Sequence, residues 1–339
     1  MDILLLIIGL GLILAGANFL TDGSAALAQR FRVPEFIIGL TVVAVGTSTP
    51  ELVVSVLSAI AGKSDVAIGN VVGSNIFNVF VILGICALIR PLVLTKENIR
   101  RDIPFGMAAS LVLLAVTSDR LVCAGATDRI GRPDGIVMLA LYIGLMWYMI
   151  RTTKRQRSMP GAAGGTKTPA SEAGAIVKNG VKQAEGTKKP MALWLAGVMI
   201  AGGLAGLIFG GEMFLKSATA IARTLGISES VIAITLVAGG TSLPELASSV
   251  VSLLKGKAEM ALGNVIGSNI ANILLILGIS ATIHPLTMGG ITLTDILVVV
   301  LSSLLLFMAA FTFRSKKLDR WEGAIFLAIY IAYIWYLVR

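Results

Sequence analysis

The chain has 339 residues, of which 56% are hydrophobic and only 14% are charged, and its mean hydropathy is +0.88. A soluble domain of this length would carry more charge, so the composition predicts a polytopic membrane protein. The net charge of +9 does not indicate a nucleic-acid partner, because the basic residues lie in loops, where they act as orientation signals for membrane insertion.

Ten apolar segments predict an all-α fold with ten membrane-spanning helices, since about 20 residues cross a bilayer. The first segment lacks a basic amino-terminal region and a small-residue cleavage site, so we expect it to be the first span and not a signal peptide. The predicted spans cover residues 2–28, 36–60, 66–89, 103–120 and 134–150 in the first half and 191–215, 230–254, 259–284, 292–313 and 321–338 in the second.

Residues 151–190 separate the two sets of spans. This stretch is rich in Lys, Gly, Ala, Thr and Pro and shows no apolar periodicity, which predicts a solvated linker. It is too short and too polar to form a folded regulatory domain. We therefore divide the chain into a five-helix half at 1–150, a linker at 151–190 and a second five-helix half at 191–339.

The distribution of basic residues predicts how the chain is oriented. If the amino terminus is outside, the inner loops contain 21 of the 28 Lys and Arg residues, and the outer side, termini included, contains 7. By the positive-inside rule, both termini then lie outside and the linker lies in the cytoplasm. Because each half has five spans, the second half must enter the membrane in the opposite sense to the first. Inverted repeats of this kind recur in transporters.

A forty-residue stretch occurs once in each half, within repeats that cover about 36–89 and 230–284. Gly46–Ile85 and Gly240–Ile279 align without a gap at a constant offset of 194 residues, and 24 of the 40 positions are identical. The shared residues include Thr, Ser, Pro, Glu, Gly and Asn, whereas most repeated membrane helices share only their hydrophobicity. The duplication therefore preserves polar chemistry inside the membrane.

Each copy begins with a polar hexapeptide inside a span, GTSTPE at Gly46–Glu51 and GTSLPE at Gly240–Glu245. Proline removes a backbone donor and displaces the carbonyl four residues earlier, and glycine makes local unwinding easier. We expect each helix to kink or break here and to free carbonyl oxygens near Ala44–Thr47 and Ala238–Thr241. Such backbone persists at membrane depth only where it faces protein or a hydrated cavity.

Side-chain oxygens accompany these carbonyls. Thr47 and Glu51 are four residues apart and share a helix face, as do Thr241 and Glu245. These are hard oxygen ligands, which suit Na⁺ and Ca²⁺ and disfavour soft metals. The two carboxylates would repel each other, and no Lys or Arg lies in the helical part of either repeat to neutralise them. We therefore expect Ca²⁺, Na⁺ and H⁺ to compete for one pocket.

The next span of each repeat carries a polar stripe within the motif GNVxGSNIxN. Its members are spaced by four, so they face one side of the helix. For the serine and the last asparagine of each stripe we favour a role as cation ligands or as their supports. For Asn75 and Asn269, which lie off the stripe, we favour a structural interhelical hydrogen bond. The stripes are Asn70, Ser74 and Asn78 in the first repeat and Asn264, Ser268 and Asn272 in the second.

These motifs resemble the paired alpha repeats of the cation/calcium exchanger superfamily, most closely its prokaryotic sodium/calcium exchanger branch. The resemblance covers the whole chain, from ten spans to extracellular termini and a cytoplasmic linker. It implies one site with ligands from both repeats. These are the acids shared by Ca²⁺ and Na⁺ (Glu51 and Glu245), residues at the central calcium position (Thr47, Thr241, Asn78 and Asn272), and oxygens at flanking sodium positions (Ser48, Ser74, Ser242, Ser268 and the backbone of Ala44 and Ala238).

The resemblance further implies alternating access, in which spans 1 and 6 slide across a core of spans 2, 3, 7 and 8. One residue departs from the family pattern. Several prokaryotic members carry Asp where this chain has Asn272, so the site would hold two formal negative charges instead of three, which bears on sodium stoichiometry and proton sensitivity. The short linker also lacks the calcium-sensing domains of animal relatives, so no separate cytosolic calcium regulation is expected.

The sequence thus predicts a secondary antiporter, not an enzyme, that exchanges Na⁺ for Ca²⁺ across the plasma membrane without a resident cofactor. Its expected partners are these ions, H⁺ as a competitor and the lipid bilayer. A Ca²⁺/H⁺ or other cation antiporter of the same superfamily is the alternative, although the pocket helices lack a histidine or an additional acid for a proton path. A cation channel is less favoured, because two broken helices around an acid pair are typical of occluded carrier sites. An intramembrane hydrolase would need a His-based metal motif or a Ser/Lys nucleophile.

Overall fold

A computed structural model describes residues 1–118, 128–157, 191–226, 238–312 and 316–338. Within these ranges the chain folds into long helices joined by short connections, as the composition predicts. In chain order the helices are α1 (Asp2–Phe31), α2 (Glu35–Thr47), α3 (Thr49–Ile60), α4 (Ser64–Ile89), α5 (Ile103–Val116), α6 (Arg132–Arg157), α7 (Leu193–Thr224), α8 (Leu243–Leu254), α9 (Ala258–Ile283), α10 (Leu293–Ala309) and α11 (Arg320–Val338).

Membrane-spanning length is reached by most of these helices. In the described part of the chain, α1, α4, α6, α7, α9 and α11 are each long and apolar enough to cross a bilayer, and α2 with α3 forms a seventh, bent span. Helices α8 and α10 are apolar but shorter. The chain is therefore a mostly helical, multi-pass membrane protein.

Two helices extend by more than one turn beyond the spans predicted from hydropathy. Helix α7 continues to Thr224, past the predicted end at residue 215, and its last turns still bury Ser217 and Ala222. Helix α6 continues to Arg157, so the first residues of the predicted linker are helical, and residues 158–190 lie outside the described residues. Hydropathy marks where a helix leaves lipid, whereas the backbone hydrogen bonds can continue into water.

Helix α5 is shorter than its predicted span. It ends at Val116, whereas the predicted span included the polar residues up to 120. The hydroxyl of Thr117 donates to the carbonyl oxygen of Leu113 at 2.8 Å, which satisfies an acceptor at the helix end.

Several helices contain a wide π-helical turn. These turns cover Gly39–Val43 in α2, Asn78–Leu83 in α4 and Ala271–Leu277 in α9, and another, Asn98–Asp102, leads into α5. A π turn adds a residue to the helical repeat and rotates the side chains that follow it, and such turns are frequent at functional sites. The apolar pattern of the sequence predicts regular helices and gives no sign of these turns.

Burial divides the helices into central and peripheral ones. In α4 and α9, 78% of the most apolar stretch is buried, whereas in α1, α6, α7 and α11 the buried share is only 17–28%. The outward side chains of the peripheral helices are large and apolar, such as Ile7, Trp194 and Ile331. Helices α4 and α9, which carry the two polar stripes, therefore lie at the centre of the bundle.

Helices α1 and α7 pack with their backbones in direct contact. A Cβ atom added to Gly203 of α7 would lie 2.5 Å from the amide nitrogen of Leu20, and one added to Gly16 of α1 would lie 2.7 Å from the carbonyl oxygen of Gly203. Small residues permit such close approach of membrane helices. The pair contacts α2 through Leu204, whose side chain fills the space beside Gly46.

Helices α6 and α11 each pack against the central helix of the opposite half. A Cβ on Gly323 of α11 would lie 2.7 Å from the carbonyl oxygen of Gly84 in α4, and one on Gly135 of α6 would lie 2.7 Å from that of Gly278 in α9. Two short antiparallel strand pairs reinforce these crossings. They join β1 (Leu92–Val93) to β4 (Lys317–Leu318) and β2 (Arg129–Ile130) to β3 (Leu286–Thr287). Each half therefore packs against a helix of the other half.

Candidate cation-binding site

The helix break predicted at the first polar hexapeptide is confirmed. Helices α2 and α3 meet at an angle of 46°, with Ser48 between them. In the second repeat a single helical turn, Ala238–Gly240, is followed by Thr241 and Ser242 before α8 begins at Leu243. Proline occupies the first turn of both α3 and α8, where its missing backbone donor has no intrahelical partner to lose.

Two serines at the breaks connect the repeats through hydrogen bonds to glutamates. Ser48 and Ser242 stand at the amino-terminal cap positions of α3 and α8, yet neither side chain caps its own helix. Instead, Ser48 Oγ donates to Glu245 Oε1 at 2.8 Å, and Ser242 Oγ donates to Glu51 Oε1 at 3.0 Å. Each carboxylate is thereby held by the helix break of the opposite repeat.

Both glutamates are completely buried, and each keeps one oxygen free. Glu51 and Glu245 lie in the first turns of α3 and α8, where the helix dipole favours a negative charge. Among the described residues, their Oε2 atoms have no hydrogen-bond partner and neither carboxylate forms an ion pair. A buried carboxylate without a cationic partner costs several kcal/mol, so these oxygens are suited to bind a cation.

The serines of the two polar stripes behave differently. Ser74 Oγ donates to Glu51 Oε1 at 3.4 Å, as the second hydroxyl on that oxygen. The equivalent Ser268 is also buried, but its Oγ makes no hydrogen bond to any described residue. The two halves of the site are therefore similar but not identical.

The two threonines of the polar hexapeptides pair with the first asparagine of the opposite stripe. Thr47 Oγ1 donates to Asn264 Oδ1 at 3.3 Å, and Thr241 Oγ1 donates to Asn70 Oδ1 at 3.4 Å. Like the Ser–Glu hydrogen bonds, these contacts come as an exchanged pair. They place both threonines beside the glutamates of the site.

Asn70 and Asn264 are functional candidates that are absent from the predicted ligand set. Asn70 Nδ2 donates to the backbone oxygen of Glu51 at 3.2 Å and to Ser55 Oγ at 3.0 Å. Asn264 Nδ2 donates to the backbone oxygen of Glu245 at 3.4 Å. Each amide thus joins the central helix to the first turn that carries the glutamate. Their spacing by four from Ser74 and Ser268 was the signal for them, since it placed them on the same stripes.

The last asparagine of each stripe has a buried side-chain oxygen without a hydrogen-bond partner among the described residues. Asn78 begins the π turn of α4, and its Nδ2 donates to Asn269 Oδ1 at 3.0 Å, while its Oδ1 is buried and unpaired. Asn272 lies in the π turn of α9, and neither atom of its buried amide has a partner in the part of the chain that the structure describes. Their carbonyl oxygens are available to a cation, as the resemblance implies.

The expectation that the break frees the carbonyl of Ala44 is wrong. This oxygen accepts hydrogen bonds from the backbone nitrogen of Ser48 at 3.0 Å and from Thr47 Oγ1 at 3.4 Å. The reason is that the break comes after Thr47, so Ala44 remains inside the last intact turn of α2. For Ala238, the structure describes only that its backbone is helical.

A cavity of about 360 Å³ lies beside the second repeat's helix break. Its walls come from α3, α7 and the segment that leads into α8, and they are mostly apolar. Thr241 contributes to this wall, and the next residue is Ser242, which holds Glu51. The cavity lies between α7 on one side and α3 and the start of α8 on the other, and the prolines that precede the two glutamates, Pro50 and Pro244, line it. Its lining includes Thr49, Pro50, Gly240, Thr241, Pro244 and Glu212.

The assembled donor set consists only of oxygen atoms. It combines two carboxylates with hydroxyl and amide oxygens, which is the chemistry preferred by hard cations such as Ca²⁺ and Na⁺. All of its side chains come from the two helix breaks and the two central helices. Each polar residue predicted for the site lies on one of these elements, although the role of each as a ligand stays a prediction.

Known proteins resemble this chain over nearly its whole length. The sequence profile of the family described as sodium/calcium exchanger protein matches residues 1–151 and 195–339. The inner membrane protein YrbG of Escherichia coli is 35% identical over 282 residues, which cover 83% of this chain and 79% of that protein. The sodium/calcium exchanger MaX1 of Methanosarcina acetivorans is 30% identical in an alignment 351 positions long, which covers 98% of this chain and 97% of that protein.

A solved structure has the same fold. The sodium-calcium exchanger NCX_Mj, soaked with zero Na⁺ and Ca²⁺, superposes with a TM-score of 0.78 at 30% sequence identity. The match covers 99% of this chain and 98% of that one. The similarity therefore includes both halves and the arrangement of the helices around the site.

Proposed function

The chain belongs to the sodium/calcium exchanger protein family, a family of membrane transporters and not of enzymes, and on this premise we propose that it exchanges Na⁺ for Ca²⁺ across the plasma membrane. The observation that carries the proposal is the pair of completely buried glutamates, Glu51 and Glu245. Each is held by a serine of the opposite repeat and has one unpaired oxygen. Two carboxylates without cationic partners need positive charge, which Ca²⁺, two Na⁺ or two protons would supply equally.

The proposed architecture consists of ten spans in two inverted halves, 1–150 and 191–339. The paired contacts support it, since Ser48–Glu245 matches Ser242–Glu51 at the same offset of 194 residues that relates the repeats. The basic residues support an orientation with both termini outside and the linker at 151–190 in the cytoplasm. Inverted repeats of this kind hold the substrate site near the middle of the membrane.

The cation site in this proposal lies between α3, α4, α8 and α9. The carboxylates are shared by Ca²⁺ and Na⁺, while neutral oxygens complete the coordination of whichever ion is bound. Competition for the same carboxylates then couples the two fluxes, because Na⁺ entering the site displaces Ca²⁺ from it. The neutral ligands are the side chains of Thr47, Thr241, Asn78 and Asn272 around Ca²⁺, and of Ser48, Ser74, Ser242 and Ser268 around Na⁺, with the backbone of Ala238.

Alternating access is proposed to come from movement of α1 and α7 across the central helices. Their glycine-rich contact makes them one rigid pair, and they are largely exposed to lipid. The cavity beside Thr241 lies between this pair and the site, so sliding of the pair would open or close it. The site itself is formed by helices that stay together.

Flux measurements in proteoliposomes test the proposal. Vesicles loaded with Na⁺ take up radioactive Ca²⁺ when diluted into Na⁺-free buffer, and Glu51→Gln and Glu245→Gln abolish the uptake. Glu322→Gln is the matched control, because this buried carboxyl group pairs with Thr312 and the Asp319 backbone, away from the site. It should retain exchange.

Na⁺ and pH gradients distinguish Na⁺/Ca²⁺ exchange from Ca²⁺/H⁺ exchange. Ca²⁺ uptake that ignores Na⁺ but follows a pH gradient would identify a Ca²⁺/H⁺ antiporter with the same site. Ca²⁺ uptake without any opposing gradient, at channel-like rates, would overturn antiport altogether. Absence of Ca²⁺ flux under every gradient would leave the family membership and refute calcium as the substrate.

A further inference from the structure

An asparagine side chain can support a cation in only one of its two orientations. Its amide has an oxygen that accepts and an NH₂ group that donates, and only the oxygen can coordinate a cation. Asn78 and Asn272 are both completely buried, so water cannot hold the NH₂ group in place. Some other group must fix the orientation of these amides.

For Asn78 that group is Asn269 of the other half. Asn78 Nδ2 donates to Asn269 Oδ1 at 3.0 Å, and this contact takes up a hydrogen atom of the NH₂ group. Asn78 Oδ1 is the end that stays unpaired and buried. The contact therefore turns the oxygen of Asn78, and not its NH₂ group, toward the space where a cation binds.

Asn269 is half-buried and packs among helices of both halves. It lies in α9 immediately after Ser268 and two residues before the start of the π turn at Ala271. With Val79 of α4 and Ser303 of α10 it lines a small, partly open crevice of about 10 Å³, which has room for about one water molecule. An acceptor in so confined a place has little freedom to follow a rotating amide.

The equivalent pair in the other half has both of its complementary atoms unpaired. Asn75 and Asn272 correspond to Asn269 and Asn78 at the repeat offset of 194 residues. Asn75 Nδ2 donates to the carbonyl oxygen of Val71 at 2.7 Å, so only its Oδ1 is available, and that atom is buried without a partner. Asn272 Nδ2 is likewise buried without a partner. Buried polar atoms rarely stay unpaired, so we expect the Asn75 oxygen and the Asn272 NH₂ group to pair as their counterparts in the other half do.

We propose that Asn269 and Asn75 are positioning residues, which hold the NH₂ groups of Asn78 and Asn272 so that the two amide oxygens face the cation. The inference rests on the proposed cation site and adds a role for two residues outside the ligand set. It also revises the sequence interpretation, which gave these off-stripe asparagines a purely structural hydrogen bond. Outer partners of this kind set the orientation of metal ligands, and their loss typically weakens metal binding by about 10- to 100-fold.

A double-mutant cycle tests the proposal through equilibrium binding of radioactive Ca²⁺ to the purified full-length protein. Asn269→Leu removes the acceptor at similar volume and should weaken Ca²⁺ binding at least about tenfold. Asn269→Asp retains an acceptor and should bind Ca²⁺ at least as tightly as the wild type. In an Asn78→Asp background the residue at 78 has two oxygens and no NH₂ group to orient, so Asn269→Leu should change the affinity by less than about threefold.

Two further variants complete the test, one as a control for the loss of a buried polar group and one as a substitute if Asn269→Leu does not fold. Ser280→Ala removes another buried polar group from α9, one without a partner, and should leave Ca²⁺ affinity unchanged. If Asn269→Leu does not yield folded protein, Asn75→Leu reports on the same role in the other half and should weaken Ca²⁺ binding to a similar degree. Thermal unfolding of each variant in detergent identifies the folded ones.

The outcomes distinguish this inference from the proposed function. Wild-type affinity in a folded Asn269→Leu or Asn75→Leu variant would refute the positioning role, while loss of binding in Glu51→Gln would still support the cation site. An equal effect of Asn269→Leu with Asn or Asp at position 78 would also refute it, since the effect would then be structural. No Ca²⁺ binding by the wild type would refute the proposed function first, and this inference with it.

Discussion

The hydroxyl oxygen of Ser48 lies 2.8 Å from Oε1 of Glu245, although 197 residues separate them in the chain. A serine at this position of a helix usually accepts a hydrogen bond from its own helix, but here it donates to the other repeat. Ser242 does the same toward Glu51. Each carboxylate is therefore fixed by the half that does not contain it, so its position depends on how the two halves are arranged.

We expect Ser48→Ala to weaken Na⁺ binding more than Ca²⁺ binding. A monovalent ion at a flanking position depends on neutral oxygens, whereas Ca²⁺ keeps its attraction to both carboxylates. Removing one neutral oxygen ligand should raise the Na⁺ concentration for half-maximal exchange at least about tenfold, which corresponds to about 1.4 kcal/mol. The Ca²⁺ concentration for half-maximal uptake, measured in the same vesicles, should change much less.

The control for this prediction is Ser280→Ala, which removes a buried hydroxyl that makes no hydrogen bond to described residues. It should leave both half-maximal concentrations unchanged. Equal increases for Na⁺ and Ca²⁺ in Ser48→Ala would contradict a sodium-specific role and would favour a general role in holding Glu245.

Glu51→Gln should make the cation-free protein more stable and should abolish Ca²⁺ binding. Without a cation, two buried carboxylates cost free energy, and replacing one by a neutral amide removes most of that cost. A ligand present at 100 times its dissociation constant stabilises a folded protein by about 2.7 kcal/mol. Thermal unfolding in detergent should therefore show a Ca²⁺-dependent increase in Tm for the wild type, and a higher Ca²⁺-independent Tm for the variant.

The contrary result would be a variant less stable than the wild type in cation-free buffer. It would mean that Glu51 serves the fold through its hydrogen bonds to Ser242 and Ser74. Glu322→Gln is again the control, because its buried carboxyl group is already paired and its loss should lower Tm in both conditions.

Asn272→Asp should tighten Ca²⁺ binding and make it more sensitive to pH. A third carboxylate adds attraction for a divalent cation, and a gain of about 1.4 kcal/mol would be tenfold in affinity. Three acids in one pocket also bind protons more readily than two, so the gain should disappear as the pH falls. Equilibrium Ca²⁺ binding at a series of pH values measures both effects.

Asn18→Asp provides the comparison, since it adds the same charge to an exposed position of α1. It should change neither the Ca²⁺ affinity nor its pH dependence. Unchanged affinity in Asn272→Asp at high pH would show that the side chain of residue 272 does not face the cation.

The helix break could be predicted from the sequence because its cause is local. Proline and glycine act on their own backbone, so the kink at Ser48 follows from the hexapeptide alone. The repeat offset also identified the two glutamates and the polar stripes. Spacing by four is a local property of a helix as well, so it placed Asn78 and Asn272 on the same faces as the other candidates.

The parts that could not be predicted depend on the neighbours of a residue. An interhelical hydrogen bond was predicted for Asn269, but its partner, Asn78, and the π turn that begins there are set by packing between α4 and α9. Likewise, a sequence shows that Ala44 precedes a break but not on which residue the last intact turn ends. That turn ends at Thr47, so the carbonyl of Ala44 stays paired.

Gly203→Ala should destabilise the protein and slow exchange, because α1 and α7 meet at this residue without room for a side chain. A Cβ atom there would lie 2.5 Å from the backbone nitrogen of Leu20, and overpacking of this kind costs about 1–3 kcal/mol. Gly202→Ala is a matched control one residue away, since Gly202 is exposed and a Cβ there meets nothing within 4 Å. Thermal unfolding and Na⁺-dependent Ca²⁺ uptake should both be impaired in Gly203→Ala and unchanged in Gly202→Ala. If the two variants behaved alike, the α1–α7 pair would not be the rigid unit that the proposed sliding movement requires.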